Sequence, residues 1–173
     1  MGDEEIGAKF KEAEIVPNII PNPPANKLNV NYEGIMVEPG QLLSPRQLRF
    51  GPRVTFNSDP EAIYSLIMID PDNLSRAKPT VAEWLHLLST NIPASNLKEG
   101  VMGGTHVMTY GAPVPGPRTG EHRYVILLWE HEGRRISAAT PNSRSKFNVK
   151  KFMEKHNLDP IAGNYFVAQN ESG

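Results

Sequence analysis

Residues 63 to 69, IYSLIMI, are apolar apart from Tyr64 and Ser65. A short apolar run of this kind reads as a strand buried on both faces. A sheet containing it must be covered above and below, so the chain has to supply further strands and a second layer. The run also ends abruptly in Asp70-Pro71-Asp72, and a few residues later His86 sits between Leu85 and Leu87. Carboxylates and an imidazole therefore stand where apolar strands meet.

The rest of the chain is punctuated by 16 prolines and 14 glycines, which favours many short elements and shaped loops. Leu28, Val30 and Tyr32 alternate with Asn29 and Asn31, a half-buried strand. Residues 54–56, 84–88, 105–110 and 124–129 read as further strands. Residues 3 to 14 carry Ile6, Phe10 and Ala13 at helical spacing, and "VPNIIPNPPAN" follows as an extended connector in which four prolines exclude regular helix. A second helix begins after Asn148 as N-cap, with Phe147 and Phe152 as staple and Val149, Phe152, Met153 and His156 as its stripe. Asn157 and Pro160 stop it. The expectation is one mainly β domain over residues 1–173 with few helices.

Composition narrows the function. A formal net charge of −1 gives no bulk attraction to nucleic acid or an anionic membrane, so any anion recognition has to be local. The absence of cysteine excludes disulfides, thiolate zinc sites and cysteine nucleophiles, and suits a reducing compartment. The acidic start MGDEEIGAKF is not a signal peptide, Gly2 lacks the rest of a myristoylation pattern, and no apolar run is long enough to span a bilayer. The expected location is the cytoplasm, without integral membrane association and without a cofactor.

Strand parity groups the polar residues. Tyr64, Leu66 and Met68 share a face with Asp70; Trp84, His86 and Leu88 share one; so do His122, Tyr124, Ile126 and Leu128. If these strands are neighbours, Asp70, His86, His122 and Tyr124 converge. Imidazolium and phenol would donate to a small anion such as a phosphate ester, with the carboxylate raising the histidine pKa. Each residue also has a plainer reading. Asp70-Pro71-Asp72 is by default a turn, Asp72 and Arg76 a structural ion pair, and the strand histidines and Trp84 core residues. His106, His131 and His156 read as surface or packing residues, the stretch 111–120 as a rigid loop, and Lys146, Lys150, Lys151 and Lys155 as the solvated face of the late helix. Common catalytic signatures are absent, and nothing in the spacing favours a metal at Asp70, His86 and His122 over an anion.

The segments "DPD..SR", "EWLH", "GEHRY" and "EIVPNIIPNPP", in this order, resemble the phosphatidylethanolamine-binding proteins, from about Phe10 to Val167. The resemblance implies a central β-sheet with a smaller sheet packed on it and a few peripheral helices. It implies an anion pocket made by Asp70, Trp84, His86, His122 and Tyr124, with Val114 and Pro115 on the rim and Asp72 and Arg76 shaping the loop. The site reading of Asp70 thereby replaces the turn reading. Asn73-Leu74 stands where Ala-Pro is usual, Leu85 where a second histidine is common, and the rim "YGAPVPGPRTG" departs from the usual pattern. The chain stops at "NESG", so the carboxy-terminal helix of many animal members is not expected, which should leave the pocket more open.

The function implied is non-enzymatic: binding of phosphate or a phospholipid headgroup such as phosphatidylethanolamine, coupled to restraint of a Raf-type protein kinase. The alternative is inhibition of a serine carboxypeptidase through exposed loops or a terminus. A phosphate-ester hydrolase using His86 and His122 as acid and base lacks an evident nucleophile or metal.

Overall fold

The computed structural model describes residues 3–57, 59–100, 103–131 and 134–173. Gly2, and with it the myristoylation question, lies outside these residues. The chain runs α1 (Asp3–Glu12), β1 (Asn26–Lys27), β2 (Asn29–Tyr32), β3 (Ile35–Met36), β4 (Gln41–Leu42), a 3-10 turn (Pro45–Leu48) and β5 (Arg53–Thr55). It continues through β6 (Ile63–Asp70), β7 (Trp84–Pro93), α2 (Ala94–Glu99), β8 (Thr105–Met108), β9 (His122–Glu130), α3 (Val149–His156) and β10 (Pro160–Ala168). The fold is mainly β, with few helices.

The apolar run is β6, and it is central in the larger sheet, whose order is β1-β10-β9-β6-β7-β8 with β4 also on β10. Tyr64, Leu66 and Met68 point to one face, where the small sheet β3-β2-β5 lays Leu28, Val30, Tyr32 and Val54 against them. Ile67 and Ile69 point to the other, covered by Ile6 and Phe10 of α1 and by Val149, Phe152 and Met153 of α3. Burial on both faces is thus why this strand lacks polar alternation. No helix among the described residues is long and apolar enough to cross a membrane.

The second helix follows its sequence signals. Asn148 Oδ1 accepts from the Lys151 amide at 3.0 Å, Asn157 adopts the left-handed C-cap conformation, and the Phe147 and Phe152 rings lie 5.7 Å apart. The four lysines around it are exposed. The proline-rich connector differs from expectation. It folds into successive turns that sink Ile15, Ile19 and Ile20 into the helix-covered face, because buried isoleucine surface outweighs the preference of prolines for extension.

β10 and α2 are additional to the elements the sequence suggested. In β10, Asn164 is fully buried: its Nδ2 donates to the carbonyls of Leu28 (2.9 Å) and Val37 (3.1 Å). It thereby ties the segments around β2 and β3 to the large sheet. Asn164→Ala leaves those carbonyls without their donor and should lower stability by about 1–3 kcal/mol in urea unfolding. An unchanged midpoint would show the amide to be dispensable.

Candidate functional site

β7 and β9 both run antiparallel to β6, so the end of β6 meets the beginnings of its two neighbours. Asp70 pairs with Trp84, and Ile69 with Val125, one residue from Tyr124. Asp70, Trp84, His86, His122 and Tyr124 therefore gather at one end of the sheet. With Val114 and Pro115 they line a single cavity of about 330 Å³.

His86 keeps the parity of Trp84 and faces the cavity with it, and a break in alternation follows directly after it. Met68 pairs with Leu87 but Ile69 pairs with Leu85, so β7 carries one extra residue here, a β-bulge. The bulge corrects the expected grouping of Trp84, His86 and Leu88: Leu88 packs on the helix-covered face beside Leu85, while Leu87 joins the opposite core. β9 keeps its alternation, and Tyr124, Ile126 and Leu128 share one core as expected.

Hydrogen-bond accounting assigns each polar group a task. Asp70 is 2% exposed; its Oδ1 accepts the Asp72 amide (2.7 Å) and its Oδ2 meets His122 Nδ1 (2.8 Å). Thr119 Oγ1 bonds the Gly116 carbonyl (2.7 Å) and His122 Nε2 (2.8 Å). Both ring nitrogens of His122 are thus engaged within the protein. Thr119 is a participant the sequence reading missed; its only signal is its place three residues before His122.

His86 is different. Its Nδ1 bonds the Gly111 carbonyl at 2.6 Å, and the Gly111 amide bonds the His86 carbonyl at 2.8 Å, which fixes the start of the rim loop to β7. Arg144 adds bonds to the carbonyls of Leu85, His86 and Thr109. Nε2 of His86 is buried without a partner among the described residues. Burial pushes the His86 pKa down, helped by the Arg144 and His122 charges and opposed by Gly111 and Asp70. The expectation that a carboxylate keeps this histidine charged is corrected: desolvation outweighs the attraction of Asp70. The resting ring is neutral, with Nδ1–H donated and Nε2 a bare acceptor. Burial and the Asp70 and Asp72 charges push the Tyr124 phenol far up, so it stays protonated; its ring lies 5.4 Å from His86 and 6.2 Å from His122.

The expected Asp72–Arg76 pair does not form. Asp72 is buried and holds Arg123 at both guanidinium positions, at 2.7 and 2.9 Å, while Arg76 bonds Glu14 at 3.3 Å on the surface. A buried carboxylate takes the partner that also enters the core. Asp72 still shapes the loop, from across the sheet. His131 takes the packing alternative: it is 1% exposed and bonded to Ser65 Oγ at 2.7 Å. His106 is exposed and bonds Ser89 Oγ at 3.0 Å, and His156 packs on Phe152. Among the described residues no three of His, Cys, Asp and Glu are placed to share a metal ion. A larger hollow of about 410 Å³ beside Glu130, Arg134 and Asp159 lies at the other end of β9, and there Arg134 is bonded to the His156 carbonyl.

A family model described as phosphatidylethanolamine-binding protein matches residues 22–166. A Drosophila melanogaster relative named for odorant binding (A5) is 33% identical over 96% of this chain and 81% of its own length. Protein TERMINAL FLOWER 1 of Arabidopsis thaliana is 32% identical over 98% of this chain and 97% of its own. The solved structure of carboxypeptidase Y inhibitor with its cognate proteinase matches with a TM-score of 0.82 at 20% identity, over 98% of this chain and 97% of that one, a likeness of fold.

Proposed function

This chain belongs to the phosphatidylethanolamine-binding protein family, and we propose that it is a non-enzymatic receptor for a small phosphate-class anion at the end of β6. The observation that carries this reading is His86 Nε2, a buried nitrogen without a partner on a residue that lines the cavity. A buried polar atom left unpaired costs about 1–3 kcal/mol, and a ligand that supplies its partner recovers that cost. A protonated phosphate ester can donate to the neutral ring, or the ring can take up a proton and donate. The Tyr124 phenol is a second donor.

A binding role also fits how the histidines are engaged. Both nitrogens of His122 are held within the protein, which leaves it poorly placed as a general base. Among the described residues the lining contains no serine or lysine that could serve as nucleophile. For the protein partner, the family resemblance supports a Raf-type kinase and action in the cytoplasm. Displacement of such a kinase by phosphorylethanolamine would support that step, and undisturbed kinase binding at saturation would sever partner from pocket.

The test is a shift-perturbation titration with phosphate and phosphorylethanolamine. His86→Ala should weaken binding by about tenfold, the scale of one charge-assisted hydrogen bond, and His122→Gln should weaken it by disturbing the floor that Asp70 and Thr119 hold in place. Titration curves identical to the parent's for both variants would remove the pocket from consideration.

A further inference from the structure

The cavity is far larger than the anion. About 330 Å³ corresponds to the share of about eleven liquid waters at ~30 Å³ each, several times a five-atom phosphate. Beyond the floor of Asp70, His86, His122 and Tyr124, the lining is mostly apolar, with Val81, Trp84, Ala112 and Pro115 among its members.

Two further members stand at the mouth, one from each bordering loop. Leu74 is 57% exposed and Val114 is 83% exposed, and both line the cavity, so their apolar surface adjoins the site. Both depart from the residues that the family resemblance leads one to expect in these loops. They enlarge the apolar surface that a ligand would cover.

The charge pattern decides what that ligand carries. Among the described residues Asp70 is the only acid in the lining, and both its oxygens are already engaged, by the Asp72 amide and by His122. An ammonium group on the ligand finds no free carboxylate there. An apolar substituent, in contrast, finds Leu74, Val114 and the inner apolar wall.

We infer that Leu74 and Val114 form an apolar collar that selects phosphate monoesters with an aryl or compact alkyl substituent over free phosphate and over phosphorylethanolamine. This selectivity rests on the anion-pocket reading above and adds the ligand's second half to it. Phosphate occupies the floor, and the substituent covers the collar, removing apolar area from water on both partners.

The experiment measures equilibrium binding of inorganic phosphate, phosphorylethanolamine and phenyl phosphate to the full chain and to the Leu74→Ser/Val114→Ser double variant. Both side chains are exposed, so the variant should fold normally, which its amide spectrum checks. The parent should bind phenyl phosphate about tenfold tighter than either of the other two, from the area covered by one ring. The double variant should lose most of that preference. A phenyl phosphate affinity no better than that of phosphate, or a preference that survives the double substitution, would overturn the collar. Absence of binding by all three ligands would overturn the anion pocket itself, and the collar with it.

Discussion

Asp72→Ala should lower folding stability by about 3–5 kcal/mol, the scale for removing one partner of a buried ion pair. Asp72 is 1% exposed, and its two oxygens receive the Arg123 Nη2 at 2.7 Å, the Arg123 Nε at 2.9 Å and the Arg123 backbone amide at 2.8 Å. Arg123 Nη1 donates in turn to the Ala13 carbonyl at 2.7 Å, just beyond α1. One carboxylate therefore joins the loop after β6, the start of β9 and the end of the first helix. Its removal strands the guanidinium of the buried Arg123, with the Ala13 carbonyl as its remaining partner among the described residues. At about 2–4 °C per kcal/mol for a chain of this size, the melting temperature should fall by roughly 6–20 °C. Arg76→Ala is the control: its pair with Glu14 is exposed, and its loss should stay within about 1 kcal/mol. An Asp72→Ala protein that melts within a degree or two of the parent would show that the loop holds without its anchor.

The contrast between these two arginines shows what could be read from the chain and what could not. Arg76 is four residues from Asp72, whereas Arg123 is 51 away, and sequence distance carries no information about which side chain is buried. Strand existence and parity were legible for β6 and β9, whose apolar alternation or saturation is unbroken. β7 was legible as a strand but not as a bulged one, because the extra residue leaves no compositional trace. The bulge is nonetheless what puts Leu87 on the same side as His86 and sends Leu88 to the other face beside Leu85. β10 escaped notice because Pro160, Gly163 and Asn164 weaken its pattern, although the buried amide of Asn164 is one of its structural supports. The convergence of Asp70, His86, His122 and Tyr124 followed from parity once strand adjacency held. The charge state of His86 did not follow, because burial is a property of the folded cavity.

That charge state leads to the largest solution effect. Sulfate affinity should strengthen by up to about tenfold for each unit of falling pH, the linkage limit for uptake of one proton. In the free protein burial holds the His86 pKa below its ordinary value. A dianion beside Nε2 favours the imidazolium, so the pKa in the complex is higher than in the free protein. Binding takes up a proton between those two values. Affinity therefore rises as pH falls through the higher one and levels off below the lower one. Sulfate is the suitable probe because a phosphate ester has its own ionisation near pH 6. The groups around His86 are Asp70, His122, Tyr124, Arg144 and the Gly111 carbonyl. Arg144 keeps its charge, and the Tyr124 phenol is pushed too far up to titrate in this range. Glu83, which burial pushes up to about 7, does titrate here, but its Oε1 accepts the Val149 amide at the start of α3. His86→Gln keeps every one of these groups and removes only the His86 proton. The variant should therefore lose the His86 share of the slope and expose any residue due to Glu83. A sulfate affinity that is flat with pH in the parent, or an equal slope in His86→Gln, would mean that the unpaired nitrogen does not meet the anion.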